Sequence, residues 1–263
     1  MSATQVPVAV PSWLGVGASV VLVGVAAAVA ARQQLGITRE LLIAAARAGV
    51  QLVAVGAILG VLFVHAGVLG ALGWVALMVA VAGQVAARRG AGVPLAARCA
   101  TAGIAIGAAS TMGVLLVLRV ITAEARVIVP VGGMVVSGAM QASALVLRRL
   151  REQAVDARPQ VEARLALGLS ADVAFAPHLR TALRTALIPN LDGTKVVGLI
   201  SLPGAMTGLI LAGVPPLTAI RYQVVVMWML LASAALAALV TGRLAQRALF
   251  DAAHRLRPVL TKH

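Results

Sequence analysis

The chain has 263 residues, 61% of them hydrophobic and only 11% charged, and its mean hydropathy is +1.00. That composition excludes a soluble globular domain and a disordered chain, and it fits an all-α, polytopic helical membrane protein. The formal charge of +14 would suit a nucleic-acid binder, but the basic residues fall between apolar segments without aromatic interleaving, so no nucleic-acid partner is expected.

A bilayer core needs about 20 apolar residues per helix. The segments near 13–31, 44–64, 67–87, 99–121, 126–147, 193–213 and 218–242 meet that need, predicting about seven transmembrane helices in a single transmembrane domain over 1–263. No Lys or Arg precedes Arg32, so the first span lacks the basic start of a cleaved signal peptide and reads as a retained anchor. Arginines after spans one, three, five and seven fall on one side, and only Arg119, Arg126 and Arg221 fall on the other. The positive-inside rule then places the N-terminus outside and the C-terminus inside.

Arg47 and Gln51 stand one turn apart where span two begins, on one helix face near the inner edge. Cys99 is a lone cysteine, which excludes an internal disulfide and a cysteine metal cluster. Span five carries Pro130, Gly132 and Gly133, predicting a break, followed by a polar and thioether-bearing face of Met134, Ser137 and Gln141. Thioethers favour soft metals, and Met206, Met227 and Met229 could extend such a path, although methionine also serves as a core gap-filler. No metal-binding residue is assigned.

The stretch 148–192 is the one sizeable element outside the predicted spans. Within it, Glu162-Ala163-Arg164 followed by Gly168 resembles the E-A-x-x-x-x-G core of the coupling loop in ABC-importer permeases. Such a loop is a short helix that fits a groove on an ATPase subunit, with Gly168 permitting the turn after it. Ser170 and Asp172 then read as the capped start of a second loop helix. Along it, His178, Arg180 and Arg184 form a polar side, and Leu179, Leu183, Leu187 and Ile188 an apolar side, as in a helix lying along the membrane surface. Arg180 and Arg184 join the candidate coupling surface.

Pro189-Asn190-Leu191-Asp192-Gly193 reads as a breaker that restarts the chain as span six, with Asp192 and Lys195 at its mouth, most simply as a local ion pair. In that span Pro203 is expected to kink the helix beside Ser201 and Thr207, and Gly204-x-x-x-Gly208 is a close-approach motif. Arg221, Tyr222 and Gln223 at the outer end of span seven are candidates for a gate or for interfacial anchoring. An intramembrane enzyme using Ser201 lacks a mid-membrane histidine, since the histidines lie at 65, 178, 254 and 263. A stand-alone secondary carrier would be expected to carry an internal repeat and intramembrane carboxylates, and the sequence offers neither by eye.

ARAGVQLVAVGAIL (46–59), VPVGGMVVSGAM (129–140), ARLALGLS (163–170) and the long block 186–231 resemble the FetB-type permeases of iron-export ABC transporters. That family also includes plant aluminium-tolerance half-transporters linked to a sugar nucleotide. The resemblance implies a plasma-membrane permease subunit, paired as a homodimer, working with a separate subunit that binds ATP and Mg²⁺. The absence of a G-x-x-x-x-G-K-[ST] loop fits that division of labour. A metal ion is the first expectation for the cargo, on resemblance alone, and a nucleotide-sugar such as UDP-glucose is the alternative.

Overall fold

A computed structural model describes residues 12–65 and 67–257 of the chain. Among the described residues the order is α1 (Trp13–Arg32), α2 (Thr38–His65), α3 (Gly67–Arg89), α4 (Ala96–Val117), α5 (Ala125–Asp156), α6 (Arg158–Ala166), α7 (Ala171–Lys195), α8 (Gly204–Leu211) and α9 (Pro216–Leu249). Six of these, α1 to α5 and α9, are long and apolar enough to cross a membrane. The chain is therefore an all-α, multi-pass membrane protein, which fits a place in the cell membrane. It divides into two compact units, one of Met1–Gly67 with Leu211–Gly213, the other of Val68–Ile210 with Val214–His263.

In the first unit, the Ser12 hydroxyl accepts from the Gly15 amide at 3.2 Å and caps α1. The helix closes where Gln34 turns left-handed (φ 52°), with the Leu35 amide bonding the Ala30 carbonyl, and α2 returns beside it.

The second unit is built on α5 and α9, whose 32 and 34 residues make rods about 50 Å long, longer than a hydrocarbon core of about 30 Å. Ser233 donates to the Val135 carbonyl at 3.5 Å, and Thr241 Oγ1 lies 3.0 Å from Ser143 Oγ. The same step along each helix separates these contacts, so α5 and α9 run parallel. Antiparallel to α9, α4 faces Ser233 and Ala237 with Gly107, and Thr241 with Gly103. A Cβ on Gly107 would come 2.8 Å from the Ser233 carbonyl oxygen, so glycine is what lets these backbones meet.

Because α5 and α9 point the same way, the chain between them has to return along the bundle. α7 makes most of that return, packed antiparallel on α5 through the buried stripe Ala174, Phe175, His178, Leu179, Ala182, Leu183 and Ala186. The return then breaks at 196–203, where Gly198 is left-handed (φ 85°) and its amide bonds the Ser201 carbonyl at 2.9 Å. The eight-residue α8 follows.

Several expectations are corrected here. The segment 193–213 is not one helix but the end of α7, a turn and α8. Pro189 does not end α7, which continues to Lys195. A proline forfeits one backbone bond without stopping a helix when its neighbours stay packed, and Ala186 is buried. Pro130 likewise lies inside an unbroken α5, and Gly132 fits against Val75. Pro203 precedes α8 and its carbonyl accepts the Thr207 amide at 3.0 Å, so it starts a helix where a kink was expected. α7 packs on the bundle with His178 buried, where a surface-lying helix with a polar His178 was expected.

Candidate functional site

At the end of the bundle where α5 and α9 finish, α6 forms a ledge. Pro159 sits in its first turn, Val161 is fully buried beneath it, and the Arg158 guanidinium pairs with Glu162 at 2.7 Å. Gly168 closes the helix in the left-handed region (φ 83°): its amide bonds the Leu165 carbonyl, and the Leu169 amide bonds the Arg164 carbonyl. That pair of bonds is the Schellman pattern the sequence asked of Gly168. Ser170 then occupies the N-cap of α7 without a side-chain capping bond, and Asp172 stands in the first turn.

Arg164 does not face outward. Its Nη1 donates to the Ala174 carbonyl at 3.2 Å and ties α6 to α7. Behind this contact, His178 Nδ1 lies 3.1 Å from Gln153 Oε1 of α5, and the Phe175 ring packs edge-on to Phe250 at 5.9 Å. Burial, with Arg164 nearby, holds the His178 imidazole below its ordinary pKa.

Residues 250–257 turn back beneath the ledge. Asp251 organises them, its carboxylate accepting the Ala253 and Arg255 amides at 2.9 and 2.8 Å and the Arg255 guanidinium at 2.9 Å. The Arg255 amide first, then its guanidinium and the Ala253 amide, hold the Asp251 carboxyl below its ordinary pKa. Arg158 Nη2 reaches the Leu256 carbonyl at 3.5 Å. Between α6 and this hook lies an open groove of about 920 Å³ lined by Arg158, Glu162, Gly168, Asp251 and Arg255. A mixed-charge groove beside an exposed short helix is suited to docking a folded partner, because partner contacts can replace the exposed Arg158–Glu162 pair.

The family is decided by how far the similarity runs. The uncharacterised protein family UPF0014 matches residues 13–250. The chain belongs to the UPF0014 family. It is 39% identical over 243 residues to the UPF0014 membrane protein STAR2 of Oryza sativa subsp. japonica, covering 91% of this chain and 84% of that protein. It is 34% identical to Protein ALUMINUM SENSITIVE 3 of Arabidopsis thaliana (91% of this chain, 88% of that one). It is also 32% identical to the protein named "Probable iron export permease protein FetB" of Escherichia coli (90% and 92%). No solved structure matches it.

In this UPF0014 protein the candidate coupling residues separate. Glu162, Ala163 and Gly168 stay on the ledge, Arg164 braces it, and Arg180 and Arg184 sit on the exposed face of α7. Asp192 and Lys195 form an exposed pair at 3.1 Å. Gln141 donates to Ser137 at 3.5 Å and lines a cavity with Pro189, while Met134 is half-buried. Ser201, Pro203, Gly204, Thr207 and Gly208 cluster about the start of α8, where Thr207 bonds back to Pro203. Among the described residues nothing lies within 4 Å of a Cβ built on Gly204 or Gly208. Arg221 and Tyr222 are exposed and Gln223 is buried with its Oε1 unpartnered. Arg47 and Gln51 are exposed on α2 of the first unit. Among the described residues no three of His, Cys, Asp and Glu gather as a metal-ion set.

Sequence reasoning missed the hook 250–257, the Phe175–Phe250 contact and the His178–Gln153 bond. One signal was present: two of only three phenylalanines fall at the start of one loop helix and the end of the last span, in a chain with few other large anchors.

Proposed function

We propose that this chain is the permease subunit of an ABC transporter that exports a metal ion from the cell across the plasma membrane. A separate subunit hydrolyses ATP with Mg²⁺. Two copies of the permease pair, each acting as one domain over 1–263, with the N-terminus outside and the ledge and C-terminus inside. The observation that carries this reading is the ledge: a short exposed helix, closed by Gly168, that shares a 920 Å³ groove with the C-terminal hook at the common end of α5 and α9. A partner that closes on ATP would push there and move both long helices together. The name of the Escherichia coli relative, "Probable iron export permease protein FetB", supports the cargo. The broken return at 196–203, with Ser201, Pro203 and Thr207, supplies a segment able to rearrange as access alternates.

The test is co-purification with an ATP-binding subunit and reconstitution in liposomes. Wild type is expected to bind the subunit and to raise its ATPase with ferrous or another divalent ion, and a Glu162→Arg, Gly168→Val variant to lose both. ATPase raised only by UDP-sugars would move the cargo to a nucleotide-sugar. Full transport by the purified chain without ATP would overturn the proposal.

A further inference from the structure

A second cavity, of about 610 Å³, opens between α3, α5 and α7. Three guanidinium groups line it, Arg89 from α3 and Arg148 and Arg151 from α5, together with the amides of Gln141 and Asn190, and no carboxylate does. The arginines are only partly occupied. Arg151 places Nη1 on the Ala91 carbonyl at 3.1 Å, Arg148 places Nε on Glu152 at 3.1 Å, and the Arg89 guanidinium has no hydrogen bond or ion pair among the described residues. Each guanidinium carries five N–H donors, so most of the cavity's donors point at no protein acceptor.

Three positive charges with spare forked donors and two amides match a phosphate group, whose oxygens accept paired N–H bonds. The volume exceeds what a bare inorganic ion fills, and Ala144, Leu145 and Ala186 give it an apolar wall. Along α5 the lining runs from Gln141, within the apolar stretch, to Arg148 and Arg151, where the helix becomes polar. We infer that this cavity is a binding site for a phosphate ester, an inference that rests on the cavity's own lining and not on the proposed metal cargo. A phospholipid headgroup and a soluble phosphorylated compound present the same chemistry.

The experiment uses the full chain in two arms. Native mass spectrometry follows retention of phosphatidylglycerol against phosphatidylcholine, and calorimetry titrates glycerol 3-phosphate onto the delipidated protein. Wild type is expected to bind one of the two anionic probes, and the arm that responds assigns the source. R89Q/R148Q should weaken that binding by about tenfold or more, the loss of two charge-assisted contacts. R32Q/R39Q, with the same loss of charge on the first unit, should change it less than about twofold. Arg148 is 63% exposed, so R148Q alone preserves the fold and should still weaken binding severalfold if the double variant fails to fold. Binding of neither anionic probe beyond phosphatidylcholine, or equal losses in R148Q and R32Q/R39Q, would overturn the site.

Discussion

Two Gly-x-x-x-Gly pairs in this chain have the same spelling and opposite surroundings. Gly103 and Gly107 of α4 lie where a Cβ would strike Thr241, the Ala237 carbonyl and the Ser233 carbonyl of α9. Among the described residues nothing lies within 4 Å of a Cβ built on Gly204 or Gly208 of α8. Glycine spacing therefore marks a helix seam only where the opposing helix also offers small residues in step, as α9 does with Ser233, Ala237 and Thr241. The α4 seam holds the bundle together, whereas the α8 glycines lower the helix propensity of a segment already set off by the turn at 196–203.

Substituting alanine into both pairs gives the sharpest contrast. Gly107→Ala should destabilise by up to about 2 kcal/mol, the roughly 1 to 3 kcal/mol of overpacking against backbone less the roughly 1 kcal/mol that alanine contributes to a helix. Gly208→Ala keeps that gain and should be neutral or stabilising by up to about 1 kcal/mol. Thermal unfolding in detergent reads both. Equal effects at the two positions would break the comparison.

Gly168 adds a third kind of glycine, open to solvent like Gly208 but held at φ 83°. Gly168→Ala should cost about 1 to 2 kcal/mol through backbone strain alone. Hydrogen exchange should rise across 158–170 and stay unchanged along α4. Faster exchange in α4 instead would mean that the ledge and the seam are not separable.

The membrane class, all six membrane-length helices and the Gly168 turn were legible in the sequence, because length, hydropathy and a helix-closing glycine are local properties. The end of α7 was not. Pro189-Asn190-Leu191-Asp192-Gly193 has the composition of a breaker, and only the packing of Ala182, Leu183 and Ala186 on the bundle carries the helix through it. For the same reason the Gly103-x-x-x-Gly107 seam went unread: a seam is a property of two helices, and the sequence lists one at a time. The groove beside α6 was half legible, since Glu162 and Gly168 form a local pattern while the hook comes from a segment far along the chain.

Beside the seam, Thr241 of α9 and Ser143 of α5 form a buried hydroxyl pair at 3.0 Å, with the Cys99 carbonyl of α4 3.4 Å from Thr241. Thr241→Val retains the shape and removes the bonds. It should cost only about 0.6 kcal/mol, the usual scale for an interhelical hydrogen bond in membrane proteins. A loss as large as that of Gly107→Ala would mean that polarity, not close approach, holds α9 to its neighbours α4 and α5.

The smallest effect separates the seam from the ledge by acidity. Hydroxyls of the seam do not titrate, but His178 does, and it sits 8% exposed between α5 and the start of α7. With Nδ1–H donating to Gln153 Oε1, Nε2 is a buried atom without a partner. Adding a proton there puts a charge in a desolvated place near Arg164, so the folded chain resists protonation and the imidazole pKa falls. The unfolded chain titrates near 6.5. Below that pH it binds the proton that the folded chain refuses, and stability declines as the solution is acidified. Unfolding temperature should hold level above about pH 7 and fall from about 6.5 downward, with exchange rising first in α6 and the start of α7. His178→Asn removes the titrating group and should flatten that part of the profile while leaving α4 untouched. An unchanged acid slope in the variant would place the sensitivity elsewhere and leave the ledge as indifferent to pH as the seam.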